Sequence, residues 1–167
     1  MADIPPKPKT GRIRPARMGD VKAIHGLLTI FAAKGLMLPR SFSSLYDNLR
    51  DFVVYEEEGA ILGICALHIC WDDLAEIRSL AVVEGRQKSG IGALLVESCL
   101  DEAESLEIGN VFVLTYQAAF FRRFGFQDRD KKDLPHKIWS DCLHCSKFPD
   151  CDEDALVRTT GGILPQP

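Results

Sequence analysis

Hydrophobic and polar positions along this chain follow two periods, one typical of helices and one typical of strands. Apolar residues recur at helical spacing in Val21–Phe31 and in Ile91–Leu106, which predicts two amphipathic helices. Shorter apolar runs bounded by turn residues predict strands. Two strands are predicted to begin at Arg12 and at Phe126. Five more are predicted at Phe52–Tyr55, Ile61–Cys70, Ala75–Val83, Val111–Tyr116 and Ala155–Thr159.

Capping and turn residues set the borders between these elements. Asp20 is expected to cap the first helix, and Gly35 is expected to end it. Short helices are predicted at Ser43–Leu49 and Ala118–Arg123. The order β-α-α-β-β-β-α-β-α-β predicts an α/β (α+β) fold, with a mixed central sheet and helices on both faces.

Composition narrows the class of protein. The 167 residues, 46% of them hydrophobic, are enough for one domain with a full core. We expect a single domain at residues 12–167, preceded by a flexible arm at residues 1–11. A net charge of −4 argues against a nucleic-acid partner, and no apolar run reaches the roughly 18–20 residues of a membrane helix. Because the N-terminus lacks an apolar signal core, the chain is predicted to be cytoplasmic.

The segment at residues 87–92 carries the pattern Gln-x-x-Gly-x-Gly between a predicted strand and a predicted helix. Unpaired N–H groups at a helix N-terminus can bind a phosphate or pyrophosphate group. Gly90 and Gly92 allow the backbone to approach such an anion, and Arg86 and Lys88 add positive charge. The segment matches neither the P-loop nor the dinucleotide fingerprint, and an ordinary strand–turn–helix connection is the alternative interpretation.

Three motifs in order resemble the GCN5-related N-acetyltransferase superfamily: the strand Ala75–Val82, the loop at residues 87–92, and Phe120–Phe126. The resemblance covers residues 12–127. It implies the acetyltransferase fold of that superfamily, with a sheet splayed between the strands Ala75–Val83 and Val111–Tyr116 and with acetyl-CoA as cosubstrate. It also implies the cofactor-binding residues, which are Leu80, Ala81, Val82, Gln87, Lys88, Ser89, Gly90, Ile91 and Gly92.

Acetyl transfer to an amine requires a group that takes a proton from that amine. Glu76 and Arg78 share one strand face with Leu80 and Val82 if side chains alternate regularly along the strand. Glu76 is therefore a candidate base, acting directly or through water. The alternative is a surface ion pair between Glu76 and Arg78.

The departing thiolate needs a proton source. The superfamily often has a Tyr where this chain has Phe121, and Phe cannot donate a proton. Thr115 and Tyr116 are the nearest hydroxyl candidates, although Tyr116 could equally be a core aromatic residue. Solvent or the amine itself is a further source.

Residues 65–68, 75–82, 111–116 and 134–151 also resemble the short stand-alone form of bacterial N-acetylglutamate synthase. That family acetylates the α-amino group of L-glutamate in the first step of arginine biosynthesis, and direct attack in a ternary complex is expected. The acceptor would be bound by Arg40, by His68, where the family has Lys, and by Arg78. Because His replaces Lys, L-glutamine stays open as an acceptor, and His68 could equally be a packed strand histidine. Another small amine or a protein N-terminus is a separate alternative acceptor. The family also implies a homodimer.

Three of the six cysteines lie in apolar patterns and are predicted to be reduced core residues: Cys65, Cys70 and Cys99.

The other three cysteines crowd into a Cys-rich C-terminal loop at residues 134–151. Cys142, Cys145 and Cys151, with His136 or His144, have the residue types of a structural zinc site. Free thiols or a redox pair are the alternative. A function of another class, a non-catalytic CoA-binding or metal- or thiol-stabilised interaction module, therefore stays open.

Overall fold

The computed structural model describes residues 10–135, 142, 145, 147 and 150–160. Most of the predicted N-terminal arm, residues 1–9, lies outside the described residues. The strands are β1 (Arg12–Pro15), β2 (Phe52–Glu57), β3 (Ala60–Trp71), β4 (Leu74–Val82), β5 (Asn110–Thr115), β6 (Gln127–Arg129) and β7 (Asp154–Thr159). The α-helices are α1 (Val21–Ala33), α2 (Phe42–Asp47), α3 (Ile91–Ser105) and α4 (Ala118–Arg122), and short 3-10 helices lie at Met18–Asp20, Leu49–Asp51, Glu84–Arg86 and Lys131–Asp133.

The strands form a mixed sheet in the order β1-β2-β3-β4-β5-β7-β6. Strands β4 and β5 are parallel, whereas β1–β2, β2–β3, β5–β7 and β6–β7 are antiparallel pairs. The mixed α/β architecture predicted from the sequence is confirmed. The chain also divides into two compact units, one with the residues up to Leu67 and Ile77–Asp101, the other with His68–Glu76 and the residues from Glu102 onward.

Helices cover both faces of β3 in the first unit. On one face, Ile64 and Ala66 pack in a buried cluster with apolar residues of α1 and α2. On the other face, Gly63 lies against α3, because a Cβ atom at Gly63 would stand 2.8 Å from Cγ2 of Ile91 and 3.0 Å from Cδ1 of Leu95. Alternation of side chains along a strand produces this two-sided packing.

Helix α1 begins and ends as predicted, but without the expected side-chain cap. Gly35 has a φ of 70°, and the N–H groups of Gly35 and Leu36 donate to the carbonyls of Ala32 and Phe31, a Schellman ending. Asp20 precedes the first residue of α1, but its side chain makes no capping hydrogen bond to that helix. Its carboxylate instead accepts from the N–H of Arg17 at 2.7 Å and from the Arg14 guanidinium at 2.8 and 3.0 Å. The predicted cap was wrong because this non-local cation takes the carboxylate.

A two-residue turn joins β2 to β3. Glu58 and Gly59 have φ values of 50° and 80°, and Glu57 pairs with Ala60 across the turn. Two positive φ values in succession define the type I′ turn that suits the twist of a hairpin. A register shift lies between Tyr55 and Glu56. The turn places Glu57 at the end of β2.

The second unit is held together by strand pairing and one half-buried carboxylate. Residues Leu74–Glu76 of β4 pair with Asn110–Phe112 of β5. Asp73, just before β4, accepts from the N–H of Gly109 and from Nδ2 of Asn110 at 3.0 Å. This carboxylate fixes where β5 begins.

Two further predictions concern composition. Cys65 and Cys99 are buried and form no disulfide, as predicted, whereas Cys70 is only half-buried and packs against a core cluster without belonging to it. No helix in the described ranges combines the length and the apolar composition needed to cross a membrane.

Candidate active site

The loop between β4 and α3 has a backbone that favours glycine at one position. Gly90 is buried with a φ of 91°, and its carbonyl accepts the first helical hydrogen bond of α3, from the N–H of Leu94 at 3.1 Å. The N–H groups of the first turn of a helix have no intrahelical partner. The loop therefore directs unpaired donors, supported by the helix dipole, from the start of α3.

A second residue of the loop also has an unusual backbone conformation. Lys88 has a φ of 60° and an exposed side chain. Gln87 donates from Nε2 to the carbonyl of Val82 at 3.2 Å, and the hydroxyl of Ser89 donates to the carbonyl of Arg86. These two local bonds hold the loop against the end of β4.

Arg86 was predicted to add positive charge to this loop, but its guanidinium has a protein partner. Nη1 and Nη2 of Arg86 donate to the two carboxylate oxygens of Glu57 at 2.7 and 2.9 Å. The hydroxyl of Tyr55 also donates to Glu57, at 3.1 Å. The Arg86 guanidinium holds the pKa of Glu57 at about 2, far below its ordinary value. Arg86 therefore neutralises a carboxylate, and its charge is not simply added to the loop.

The predicted face shared along β4 is not supported. Ser79 has a φ of 57° in the middle of β4. A left-handed residue in a strand produces a bulge, which interrupts the two-residue alternation of side chains. The expectation that Glu76 and Arg78 share one face with Leu80 and Val82 assumed regular alternation, which the φ of Ser79 interrupts between Arg78 and Leu80. A face shared by Glu76 and Arg78 alone stays a prediction.

Tyr116 lies directly after β5, in a polar cluster. Its hydroxyl donates to Oδ1 of Asp152 at 2.6 Å and accepts from the Lys147 ammonium, whose Nζ lies 4.4 Å from the centroid of the Tyr116 ring. Burial and the Asp152 carboxylate raise the pKa of Tyr116, and the Lys147 ammonium lowers it. The net pKa is raised, so the hydroxyl is protonated at neutral pH.

The other candidates for proton donation differ in character. Thr115 is buried, and its hydroxyl oxygen accepts from the N–H of Gln117 at 2.8 Å. Phe121 is buried between Phe120 and Phe126, with ring centroids 5.1 and 5.5 Å away. Its surroundings are apolar rings, as expected of a residue with no proton to give.

The candidate acceptor residues are all half-buried. Arg40 lies in the connection between α1 and α2, His68 lies in β3, and Glu76 and Arg78 lie in β4. Arg40, Arg78 and the loop at residues 87–92 belong to the first unit. His68, Glu76, Thr115 and Tyr116 belong to the second unit.

The cysteine-rich loop contains no metal site among the residues that the structure describes. Cys142, Cys145 and Cys151 are half-buried and form no disulfide, and within the described part of the chain they join no group of three His, Cys, Asp or Glu side chains that could hold a metal ion. His136 and His144 lie outside the described residues. The ammonium of Lys131 donates to the carbonyl of Cys151 at 2.6 Å, which ties this loop to the 3-10 helix before it.

Sequence reasoning did not find two partners of site residues. Glu57 is 29 positions from Arg86, and Asp152 is 36 positions from Tyr116. Helical or strand periodicity reports only on neighbours within a few residues. No local signal could therefore have indicated either contact.

Comparison with known proteins places this geometry among acetyltransferases. The profile of the family described as Acetyltransferase (GNAT) domain matches residues 48–128. An uncharacterized N-acetyltransferase of Chlorobaculum tepidum is 42% identical, over 88% of this chain and 95% of its own length. An amino-acid acetyltransferase of Mycobacterium tuberculosis is 39% identical, over 77% of this chain and 75% of its own length.

A solved structure extends the similarity. N-acetylglutamate synthase from Neisseria gonorrhoeae, complexed with coenzyme A and N-acetyl-glutamate, superposes with a TM-score of 0.83 and 28% identity. The match covers 93% of this chain and 36% of that one. The chain thus spans about a third of that larger enzyme.

Proposed function

Because this chain belongs to the GNAT acetyltransferase family, we propose that it transfers the acetyl group of acetyl-CoA to the α-amino group of L-glutamate. The observation that carries the proposal is the backbone geometry of the loop at residues 87–92, combined with the names of the relatives. Gly90 has a φ that favours glycine where unpaired helix donors begin, and relatives with matching sequence are named amino-acid acetyltransferases. Family membership alone would not identify the acceptor.

The pyrophosphate of acetyl-CoA would bind to the loop at residues 87–92. Gly90 and Gly92 leave room for the phosphate oxygens, because neither has a side chain beyond Cα. The exposed ammonium of Lys88 adds a cation beside them. The backbone of Leu80, Ala81 and Val82 would bind the amide groups of the pantetheine arm. Residue Ser79, with its positive φ, turns the strand backbone just before these three residues.

The acceptor would be bound through its carboxylates. Arg40 is half-buried, and a guanidinium binds a carboxylate through two parallel hydrogen bonds. His68 and Arg78 complete the proposed set of cationic or hydrogen-bonding groups. The complex of the gonococcal enzyme with N-acetyl-glutamate supports an acceptor with two carboxylates.

The proposed chemistry is direct attack in a ternary complex. The neutral amine of glutamate attacks the thioester carbonyl, a C–N bond forms, and the C–S bond breaks. Glu76, directly or through water, takes the proton that the amine loses. The departing thiolate takes a proton from Tyr116 or Thr115. The Tyr116 hydroxyl is protonated at neutral pH, as this role requires, and in the free protein it donates that proton to Oδ1 of Asp152.

L-glutamine is the second candidate acceptor. His68 stands where the resemblance expects Lys, and a neutral imidazole can donate to an amide carbonyl as readily as to a carboxylate. The two acceptors differ only at the far end of the side chain. A comparison of their kcat/KM values therefore separates the two proposals.

The acceptor site is tested with Arg40→Ala, assayed by release of the CoA thiol. Losing one charge-assisted contact is worth about 1.5–3 kcal/mol, or about a ten- to hundredfold rise in the KM for glutamate. The KM for acetyl-CoA should stay within about twofold of the wild type. Arg50→Ala removes an exposed guanidinium ten positions along the chain and serves as the matched control. An equal rise in both KM values for Arg40→Ala would show that Arg40 is structural and would contradict the proposed acceptor site.

A further inference from the structure

One ion pair in the first unit reaches the start of the loop from a distant strand. The Arg86 guanidinium and the Glu57 carboxylate meet through two hydrogen bonds, of 2.7 and 2.9 Å. Their side chains are only 34% and 16% exposed. A two-point contact between planar groups fixes orientation as well as distance. This geometry distinguishes the pair from a mobile surface ion pair.

The Glu57 side of the contact is itself held in place. Glu57 ends β2 beside the type I′ turn at Glu58 and Gly59. The hydroxyl of the fully buried Tyr55 donates to the same carboxylate at 3.1 Å. Backbone of Gly11 closes over Tyr55, since a Cβ at Gly11 would lie 2.0 Å from the Tyr55 ring. The carboxylate therefore offers Arg86 a rigid partner.

The Arg86 side of the contact leads directly into the loop. Arg86 ends the 3-10 helix Glu84–Arg86, its N–H donates to the carbonyl of Val83 at 2.9 Å, and its carbonyl accepts from the hydroxyl of Ser89. Two residues further on, Lys88 has a φ of 60°. A non-glycine residue in this region persists only where the surrounding contacts hold it. Arg86 brings such contacts to within two residues of Lys88, in addition to the hydrogen bond from Gln87 to Val82.

We propose that Glu57 and Arg86 are positioning residues that hold the pyrophosphate loop in its binding conformation, although neither touches the cofactor. This inference rests on the proposed function, because it assigns the loop to acetyl-CoA. In the free protein the pair raises the fraction of molecules with a competent loop. The apparent affinity falls in proportion to that fraction when the pair is removed.

Removal of each charge separates positioning from direct binding. Glu57→Gln deletes a negative charge, so it would tighten CoA binding if only electrostatic attraction to the phosphates mattered. If Glu57 positions Arg86, the same substitution weakens CoA binding. We expect a rise in the Kd for CoA of about five- to tenfold for Glu57→Gln and for Arg86→Gln. The double variant should match the single variants within about twofold, because the pair acts as a unit.

Two further variants sharpen the comparison. Arg86→Lys keeps the positive charge but cannot make the planar two-point contact, so it should also weaken CoA binding. Glu84→Gln is the matched control, because Glu84 lies in the same 3-10 helix but forms an exposed pair with Lys34. Exposed pairs contribute little, so CoA binding by Glu84→Gln should stay within about twofold of the wild type.

The experiment is calorimetric titration of CoA, with thermal unfolding to verify the fold and hydrogen exchange of residues 87–92 in the free protein. The KM for the acceptor at saturating acetyl-CoA should not change. Faster hydrogen exchange of the loop in Glu57→Gln but not in Glu84→Gln supports the inference. This holds even if the wild-type protein binds no CoA, because the absence of CoA binding would refute only the proposed function. Unchanged or tighter CoA binding by Glu57→Gln, with unchanged loop exchange, would overturn the inference. Arg86 would then be either a direct phosphate ligand or a residue with no role in CoA binding.

Discussion

Gly90→Ala is the substitution that most directly perturbs the conformation of the proposed pyrophosphate loop. Gly90 is buried at a φ of 91°, next to the first helical hydrogen bond of α3. Alanine has a Cβ that clashes with the following carbonyl at such a φ. The change therefore alters the backbone energy of the loop while adding only one methyl group.

The size of the effect follows from that φ value. A non-glycine residue in the left-handed region is less stable by about 1–2 kcal/mol. If the loop of the variant relaxes in the free protein, the penalty appears on binding, as a rise in the Kd for CoA of about five- to thirtyfold. If the loop cannot relax, the penalty appears in folding, as a fall in Tm of about 2–8 °C. The two measured penalties should sum to at least about 1 kcal/mol.

The assay combines calorimetric titration of CoA with thermal unfolding of the free protein. Gly85→Ala is the matched control, because Gly85 lies in the preceding 3-10 helix without a positive φ. No atom lies within 4 Å of a Cβ built there. If Gly90→Ala resembles Gly85→Ala in both Kd and Tm, the loop is not held in the conformation described above, and the reasoning fails.

Two further predictions concern acid stability and proton transfer. Arg14, followed by the N–H of Arg17, lowers the pKa of Asp20, so the stabilisation is present above the ordinary pKa of 3.8 and is lost as the pH falls through the folded value. Asp20→Asn should therefore lower the free energy of unfolding at pH 7 by about 2 kcal/mol and lower Tm with it. It should also reduce the fall in Tm between about pH 5 and pH 3, and an unchanged Tm profile would contradict this. Tyr116→Phe should lower kcat about a hundredfold and remove the alkaline limb of the pH–rate profile if Tyr116 protonates the thiolate. An unchanged kcat and profile would remove Tyr116 from the chemistry.

The sequence predicted the elements of the fold well because their signals are local. Strand β5 was predicted at Val111–Tyr116 and lies at Asn110–Thr115, and α3 was predicted at Ile91–Leu106 and lies at Ile91–Ser105. Gly35 was identified as a helix end because glycine tolerates the left-handed φ that the ending requires. Periodicity and turn chemistry thus carried the architecture.

The parts that were not predicted depend on contacts and backbone conformations that hydrophobic periodicity does not report. Asp20 has the residue type of a helix cap, but Arg14 takes its carboxylate. Ser79 has the residue type of a regular strand position, yet its φ of 57° interrupts the alternation between Arg78 and Leu80. The pairing of Glu57 with Arg86 joins residues that are 29 positions apart. The side-chain geometry around the proposed site therefore needed the structure, whereas the proposed cofactor loop was located from the sequence alone.

Acetyl transfer to glutamate is tested most directly by incubating the protein with acetyl-CoA and single amino acids. Thiol release is followed over time, and the products are identified by mass spectrometry. The proposal predicts N-acetylglutamate as the product, with the highest kcat/KM for L-glutamate and a lower value for L-glutamine. No thiol release with either acceptor, while another amine is acetylated, would contradict the proposed function.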